Sequence, residues 1–246
     1  MAGITGKKAL VTGGSRGIGA QIARQLAADG ADVAVTYRTG ETAAAAVVGD
    51  IRALDRRAVA IRADSADATA VIAAVHRAAD ELGGLDILVN NAGIFPSKPF
   101  EEFTLDEVDE ALNVHARAAF VAAQAALTHM GAGGRIISIG TNLTDHAPFG
   151  GLTLYNLSKS ALNGFSRALA RELGPRGITV NLVQPGSTDT DMNPADSARA
   201  SAQIDRTALG RFGSAADIAA VVGFLAGDSG RGITGAVLTV DGGANA

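Results

Sequence analysis

The sequence has 246 residues, of which 47% are hydrophobic and only 4% aromatic, so small aliphatic residues must fill the core of one large α/β domain. Its formal net charge of -4 argues against general binding to nucleic acid. The absence of cysteine excludes disulfides and thiolate metal sites, and the four histidines show no metal-ligand spacing, so we expect no metal centre.

The first segment, Met1 to Leu10, contains too few apolar residues for the core of a signal peptide. No later stretch approaches the roughly 18 consecutive apolar residues that a membrane-spanning helix needs. We therefore expect a cytoplasmic protein with no membrane partner.

Short β-branched runs alternate with helical patterns along the chain, which implies parallel strands joined by right-handed crossovers. We predict a single domain over residues 1–246 with a doubly wound, Rossmann-type α/β fold, in which about seven parallel strands have helices on both faces. The predicted strands are Ala9–Thr12, Val33–Tyr37, Val59–Arg62, Ile87–Asn90, Arg135–Ile139, Thr179–Val183 and Val237–Val240. The predicted helices are Ile18–Asp29, a helix around Ala43–Ala46, Ala66–Leu82, Leu105–Met130, Ser158–Leu173 and Ala215–Ala226.

A glycine-rich turn, Thr12 to Gly19, lies between the first predicted strand and the first predicted helix. Glycines allow the backbone to approach an anion closely, and the start of a helix directs free N–H groups and a positive dipole end toward that anion. The spacing is Gly-x3-Gly-x-Gly, and there is no Walker lysine, which argues against an ATPase or GTPase. We predict that this loop holds the phosphates of a nucleotide cofactor.

The end of the second strand distinguishes the two nicotinamide cofactors. Enzymes that prefer NAD usually place a carboxylate there to hold the ribose hydroxyls, whereas this strand ends in Thr36-Tyr37-Arg38. Arg38 and Arg16 could instead pair with a 2′-phosphate, which favours NADP(H). The alternative is that both arginines are solvated surface charges.

Polar residues follow three later strands, where the carboxyl ends of parallel strands meet at one edge of the sheet. They lie in Asn90–Gly93, Gly140–Asn142 and Gln184–Gly186. The segment from Gly186 to Gly210 has no strong apolar period and is rich in Asp, Ser, Thr and Pro. A connection of this length is typical of a functional lid or a disordered stretch, and we expect a lid over a substrate.

Tyr155 and Lys159 are four residues apart at the start of a predicted helix, so both side chains project from one face. An ammonium group beside a phenol favours the phenolate and lowers the pKa of the phenol, which would bring it closer to the range useful for proton transfer. The alternative is an ordinary pair on a helix surface.

Together these motifs resemble the short-chain dehydrogenase/reductase family, and the resemblance covers essentially the whole chain. The motifs are Thr12–Gly19, Asn90-Asn91-Ala92-Gly93, Asn113-Val114, Tyr155-x3-Lys159 and Pro185-Gly186. The segments Arg211-Phe212-Gly213 and Val240-Asp241-Gly242-Gly243 resemble the 3-oxoacyl-carrier-protein reductase branch of that family.

The resemblance implies roles for individual residues. Tyr155 would be the general acid in carbonyl reduction, Lys159 would lower its pKa and hold the nicotinamide ribose, and Asn113 would anchor a water in a proton relay. The implied NADP(H) contacts are Gly13, Ser15, Arg16, Gly17, Ile18, Gly19, Tyr37, Arg38, Asp64, Ser65, Asn90, Ala92, Gly93, Tyr155, Lys159, Pro185, Gly186, Thr188 and Thr190.

The sequence departs from the family pattern at the serine that orients the substrate carbonyl. Thr141 stands where that serine is expected; it retains a hydroxyl, but its extra methyl group crowds the pocket. Ser138 is an alternative donor that should lie inside the strand, so we favour Thr141 as the fourth catalytic residue. A substrate pocket could be lined by His146, Phe149, Leu152 and Leu154, or these residues could belong to an ordinary surface loop.

The leading interpretation is an enzyme that reduces a ketone or 3-oxoacyl carbonyl with NADPH, or catalyses the reverse oxidation. The alternative is a ligand-binding regulator, because Val183 to Ala195 resembles the same stretch of a cyclic-di-GMP-binding biofilm dispersal mediator, itself a family member. The family also implies a homotetramer assembled through Leu105–Met130, Ser158–Leu173 and the last strand, with a dimer as the alternative.

Overall fold

The computed structural model describes residues 3–246, so the first two residues of the segment Met1 to Leu10 lie outside the described part. Seven strands form one parallel sheet in the order β3-β2-β1-β4-β5-β6-β7. Their bounds are β1 Lys8–Val11, β2 Asp32–Tyr37, β3 Ala58–Arg62, β4 Ile87–Asn90, β5 Arg135–Ile139, β6 Thr179–Pro185 and β7 Val237–Val240. The predicted α/β fold with parallel strands is confirmed.

Two layers of helices cover the sheet. The helices are α1 Gly17–Ala28, α2 Glu41–Arg52, α3 Ala68–Leu82, α4 Leu105–Leu112, α5 Ala118–Ala126, α6 Thr153–Leu173, α7 Ala200–Ile204 and α8 Ala215–Ala226. Apolar residues of α1, α2 and α8 pack on one face of the sheet, and those of α3, α5 and α6 pack on the other.

Alternate residues of each buried strand supply these two layers. In β1, Ala9 and Val11 belong to the core on the α1 side, whereas Leu10 belongs to the core on the α3 side. This is the two-residue period of a strand, and burial of both faces explains why the strand reads as a continuous apolar run.

The structure corrects one long helix. The predicted helix Leu105–Met130 is interrupted by a π-helical segment, Asn113–Arg117, which separates α4 from α5. A π turn holds one residue more than an α turn and is common at functional sites. Helix α6 begins at Thr153, five residues before the predicted start, so Tyr155 lies in its first turn.

The strand order reverses direction between β1 and β4, since β2 and β3 lie on one side of β1 and the later strands on the other. Open α/β sheets bind ligands at the carboxyl ends of the strands beside such a reversal. The residues after β1, β4, β5 and β6 therefore converge there. Within residues 3–246, no helix combines the length and the apolar character needed to cross a membrane.

Candidate active site

A cleft of about 1020 Å³ opens at the carboxyl ends of the strands. It runs from the glycine loop after β1, past Tyr155 and Lys159, to the segment that follows β6. The polar motifs found in the sequence therefore share one cavity, as their position after parallel strands implies.

The glycine loop has a backbone that requires glycine. Gly13 has a φ of +63°, and a Cβ atom there would lie 2.9 Å from the Cα of Ala92. Gly17 also has a positive φ, +53°, and faces Thr190 of the segment after β6. Since L-residues rarely adopt this conformation, the loop keeps its shape and stays open to a ligand only with glycine at these positions.

Three polar side chains hold this loop in place. The hydroxyl oxygen of Thr12 accepts hydrogen bonds from the backbone N–H groups of Asn91, at 2.9 Å, and Ala92, at 3.1 Å. The Thr36 hydroxyl accepts from the Gly13 N–H at 3.0 Å, and the Asn91 amide donates to the Thr12 carbonyl at 2.9 Å. These supporting roles were missed in the sequence, although Thr12 and Asn91 lie within the quoted motifs.

The start of α1 offers unpaired N–H groups to the cleft. Asp67, Thr104 and Ser214 cap α3, α4 and α8 with side-chain oxygens, whereas Arg16 at the start of α1 provides no such cap. An uncapped N-terminus beside a glycine loop is a binding site for phosphate. Because α1 carries this feature inside a large cleft, the residues present fit the diphosphate of a dinucleotide.

Two arginines line the same part of the cleft. Arg16 and Arg38 are both exposed there, and Arg38 forms a 3.5 Å ion pair with Glu110 of α4. Both partners of this pair are about half exposed, so solvent screens it and a doubly charged phosphate group would compete with the carboxylate. The arrangement has cationic groups, and no strand-end carboxylate, where a 2′-phosphate would lie.

Lys159 is deeply buried behind Tyr155. Its Nζ donates a hydrogen bond of 2.8 Å to the carbonyl of Ile139, and only 5% of the residue is exposed. Burial lowers the pKa of Lys159 to about 8. The side chain therefore carries its positive charge at neutral pH.

The phenol of Tyr155 lies within the cleft and is partly exposed to it. Burial raises the pKa of Tyr155 to about 12, and the nearby Thr141 side chain acts in the opposite direction. Its ring packs edge-on against Phe95 at 4.7 Å between ring centres. Tyr155 is accordingly a neutral phenol that can donate a proton, and the predicted lowering of its pKa by Lys159 is not observed.

The structure brings Thr141 and not Ser138 to this phenol. Thr141 is buried at the end of β5 and lines the cleft, and its hydroxyl also accepts a 3.3 Å hydrogen bond from the N–H of Leu143. Ser138 lies inside β5, fully buried, within 3.4 Å of the amide nitrogen of Asn90. The geometry thus favours Thr141 as the hydroxyl that faces a substrate carbonyl.

The structure does not bring the Asn113 side chain to the cleft, so its role in a proton relay stays a prediction. The Asn113 side chain accepts a 3.3 Å hydrogen bond from Arg117 on the exposed side of the π segment and does not line the cleft. His115 occupies the inner side instead, with 2% of its surface exposed. The π segment begins at Asn113, and the residue that faces inward, His115, lies two positions further along the chain.

The sequence did contain a signal for His115. Ala111, His115, Ala118 and Ala122 follow one another at spacings of four, three and four residues and are all buried. This is the inward-facing stripe of a helix, and Asn113 lies off it. A lone histidine in an alanine stripe marks a position where a polar group must be satisfied inside the protein.

His115 contacts three parts of the site. Its Nε2 accepts a 3.0 Å hydrogen bond from the N–H of Ile94, its Nδ1 lies 2.8 Å from the hydroxyl of Ser158, and its ring centre is 5.8 Å from that of Tyr155. Burial, assisted by the nearby charge of Lys159, lowers the pKa of His115 to about 3. The imidazole is therefore neutral throughout the physiological range.

Most of the other predicted contacts line the cleft. Asn90 does not, because it faces a separate small cavity behind Lys159. Leu152 and Leu154 are buried away from the cleft, whereas His146 and Phe149 line it. The guanidinium of Arg206 lies 5.4 Å from the centre of the Phe149 ring. In residues 3–246 no three His, Asp or Glu side chains are grouped to hold a metal.

The chain matches known proteins over nearly its whole length. A family model described as enoyl-(acyl carrier protein) reductase matches residues 13–245. The cyclic-di-GMP-binding biofilm dispersal mediator protein of Escherichia coli K12 is 42% identical, and the match covers 98% of both chains.

Two solved structures are similar throughout. A short chain dehydrogenase from Burkholderia cenocepacia J2315 in complex with NADP is 60% identical, with a TM-score of 0.98 over 99% of this chain and 100% of that one. A blue fluorescent protein from a metagenomic library in complex with NADPH is 54% identical, with a TM-score of 0.97 over the same shares.

Proposed function

Because the chain belongs to the short-chain dehydrogenase/reductase family, we propose that it is an NADP(H)-dependent oxidoreductase that reduces a ketone or 3-oxoacyl carbonyl to the alcohol or catalyses the reverse oxidation. The observation that carries the proposal is the arrangement of Tyr155, Thr141 and Lys159 in one cleft with the glycine loop. A phenol that can donate a proton lies beside a second hydroxyl and a buried cation.

The cofactor end of the cleft suits NADPH better than NADH. Arg16 and Arg38 provide positive charge for the 2′-phosphate, and the uncapped start of α1 faces the place of the diphosphate. Asp64 and Ser65 line the cleft where the family contacts adenine. When bound, NADPH supplies the hydride that carbonyl reduction requires.

The protein groups supply orientation and a proton. The hydroxyls of Thr141 and Tyr155 would hold the substrate oxygen, and the phenol would donate its proton to that oxygen as negative charge develops there. Lys159, whose ammonium is buried and poorly screened by solvent, would stabilise the resulting phenolate by its charge. Thr141 takes the role of the family serine because it retains the hydroxyl.

The segment from Gly186 to Gly210 is proposed as the substrate lid. Thr188, Met192, Arg199 and Arg206 of this segment line the cleft opposite Tyr155 and Phe149. Exposed Met192 and Phe149 give the substrate side an apolar character that suits an alkyl or aryl ketone or an acyl chain.

The test is a Tyr155→Phe variant assayed by NADPH oxidation against a panel of ketones and 3-oxoesters. We expect kcat to fall by about 100-fold to 10,000-fold, since the proton donor is removed. NADPH binding, followed by its fluorescence, should change little because the ring remains. Full carbonyl reductase activity in this variant would exclude Tyr155 as the general acid.

A second candidate function is a cyclic-dinucleotide-binding regulator on the same scaffold. The supporting observation is the 42% identity to the dispersal mediator protein, whose name states that it binds cyclic-di-GMP. Titration of the purified protein with cyclic-di-GMP, with and without NADPH, separates the two functions. Binding of the dinucleotide together with failure to reduce any carbonyl would favour the regulator.

We further propose a homotetramer. Phe120 on α5 and Leu157 on α6 are 56% and 58% exposed, and the edge strand β7 is only partly buried. Exposed apolar side chains on neighbouring helices are typical of surfaces between subunits. Sedimentation equilibrium should give four chains, whereas a species of two chains would indicate the dimer.

A further inference from the structure

We propose that His115 is a positioning residue, which holds the first turn of α6, and with it the Tyr155 phenol, against the loop after β4. This inference rests on the proposed function, because it assigns a role in carbonyl reduction to a residue that touches neither substrate nor cofactor. It is carried by a series of buried and partly buried hydrogen bonds that runs from Ile94 through His115 and Ser158 to the backbone of Tyr155.

The donor and the acceptor of each hydrogen bond in this series can be assigned. The backbone N–H of Ile94 can only donate, so Nε2 of His115 must be the acceptor. A neutral imidazole then carries its proton on Nδ1, which donates to the Ser158 oxygen at 2.8 Å. The Ser158 hydroxyl donates in turn to the carbonyl of Leu154 or Tyr155, each at 3.0 Å. A single tautomer therefore satisfies all the groups.

Both ends of this series of hydrogen bonds belong to the active site. Ile94 follows Gly93, and a Cβ atom on Gly93 would lie 3.3 Å from both Nε2 of His115 and Nζ of Lys159. Ser158 lies between Tyr155 and Lys159 on α6 and is completely buried. The His115 ring also packs edge-on against the Tyr155 ring. A change at residue 115 therefore reaches the proton donor and the buried cation together.

A pair of histidines outside the cleft provides a control for a role in stability alone. His76 and His129 lie 2.8 Å apart, are partly buried, and are outside the cleft. Their hydrogen bond joins the helical layer at α3 to the segment after α5. We expect a variant of His129 to lower stability without affecting catalysis, which makes His129→Ala the matched control.

The test compares three substitutions that keep different atoms. An asparagine amide reproduces the donor at Nδ1, a glutamine amide extends toward Nε2, and alanine retains neither. Since the Ser158 bond leads to Tyr155, we expect His115→Ala and His115→Gln to lower kcat by at least about tenfold. His115→Asn should restore most of it. The KM for NADPH should change by less than about twofold in all three, because the Thr12–Gly19 loop and Arg38 are unchanged.

A spectroscopic measurement tests the positioning without any assay of activity. The chain has two tyrosines and no tryptophan, so a Tyr37→Phe background leaves Tyr155 as the only source of the tyrosine band in near-ultraviolet circular dichroism. We expect His115→Ala and Ser158→Ala to weaken this band and His115→Asn to restore it. The double variant of His115 and Ser158 should show no further loss, because both act in one chain of bonds.

Three results would overturn the proposal. The first is a folded His115→Ala protein with unchanged kcat and an unchanged Tyr155 band. The second is rescue by glutamine and not by asparagine, and the third is an equal loss of kcat in His129→Ala. If the wild-type protein reduces no carbonyl in the panel, the proposed function fails, while the dichroism comparison still decides the positioning role.

Discussion

The two halves of the cleft are built differently. The cofactor half, formed by the Thr12–Gly19 loop and the ends of β2 and β4, is held by backbone turns and by hydrogen bonds from Thr12, Thr36 and Asn91. The substrate half, formed by the Gly186–Gly210 segment and the loop around Phe149, exposes long side chains such as Met192 and Arg206. We expect binding of the diphosphate in the first half to depend mainly on backbone geometry, and binding in the second half to depend on side chains.

This difference predicts that substitutions in the cofactor half have large and specific effects. Gly13→Val should weaken NADPH binding by more than about 100-fold, because the new side chain would meet Ala92 and the backbone would be strained. Fluorescence titration with NADPH measures the effect. Gly83→Val is the matched control, since Gly83 has a φ of +77° and open space around it. Equal weakening of NADPH binding in both variants would show that backbone strain, and not the contact with Ala92, is responsible.

The boundary between the halves should be sensitive to acid. The folded-state pKa of His115 is lowered from 6.5 to about 3. Between these pH values the unfolded protein binds a proton at His115 and the native protein does not. Its contribution to stability is complete above about pH 6.5 and is lost as the pH falls toward about 3. The groups that face the imidazole are the Lys159 ammonium, the Ser158 hydroxyl, the Tyr155 ring and the Ile94 N–H.

We expect the wild-type protein to lose about 2 kcal/mol more unfolding free energy than His115→Asn between about pH 7 and about pH 5. Urea unfolding at both pH values measures this difference. Asparagine does not titrate, so a parallel loss in the two proteins would assign the acid sensitivity to other groups.

The arginines should determine the choice between NADPH and NADH. Arg38→Ala should weaken NADPH binding by about tenfold and leave NADH binding unchanged, because only NADPH has the 2′-phosphate. Glu110→Gln removes the partner of Arg38 and retains the guanidinium, so this variant should bind NADPH at least as well as the wild type. A similar loss for both cofactors in Arg38→Ala would indicate a role in local structure.

The smallest effects are expected in the substrate half. Arg206→Ala removes a cation that lies over the Phe149 ring and should raise the KM for the carbonyl substrate by about two- to fivefold, with NADPH binding unchanged. Arg211→Ala is the control, since Arg211 pairs with Asp217 and does not line the cleft. A large effect on NADPH binding in Arg206→Ala would contradict the division into two halves.

The fold and the cofactor half could be predicted because their residues obey local rules. Strand β4 is recognisable from its apolar run, and Gly13 from the glycine-rich turn between a strand and a helix. The positions of Tyr155 and Lys159 follow from the helical period that places both on one face. Such features depend on neighbours in the chain.

The remaining features depend on contacts between distant residues. No residue in the sequence marks the π turn at Asn113–Arg117, and the contacts of His115 with Ile94 and Ser158 join it to residues 21 and 43 positions away. Leu152 and Leu154 have the composition of a substrate pocket but are buried elsewhere, because the start of α6 turns them away from the cleft. The support of Gly13 by Thr36 likewise joins residues 23 positions apart.

Both ends of the Gly186–Gly210 segment are fastened to the end of β7. The N–H of Gly186 donates to the carbonyl of Val240, and the N–H of Leu209 donates to the carbonyl of Gly242, each at 3.0 Å. The segment is thus a cassette with fixed ends, whose interior can vary in length and composition at little cost to the sheet. Exchange of this cassette between relatives is a route by which one scaffold can acquire new substrates, in evolution or by engineering.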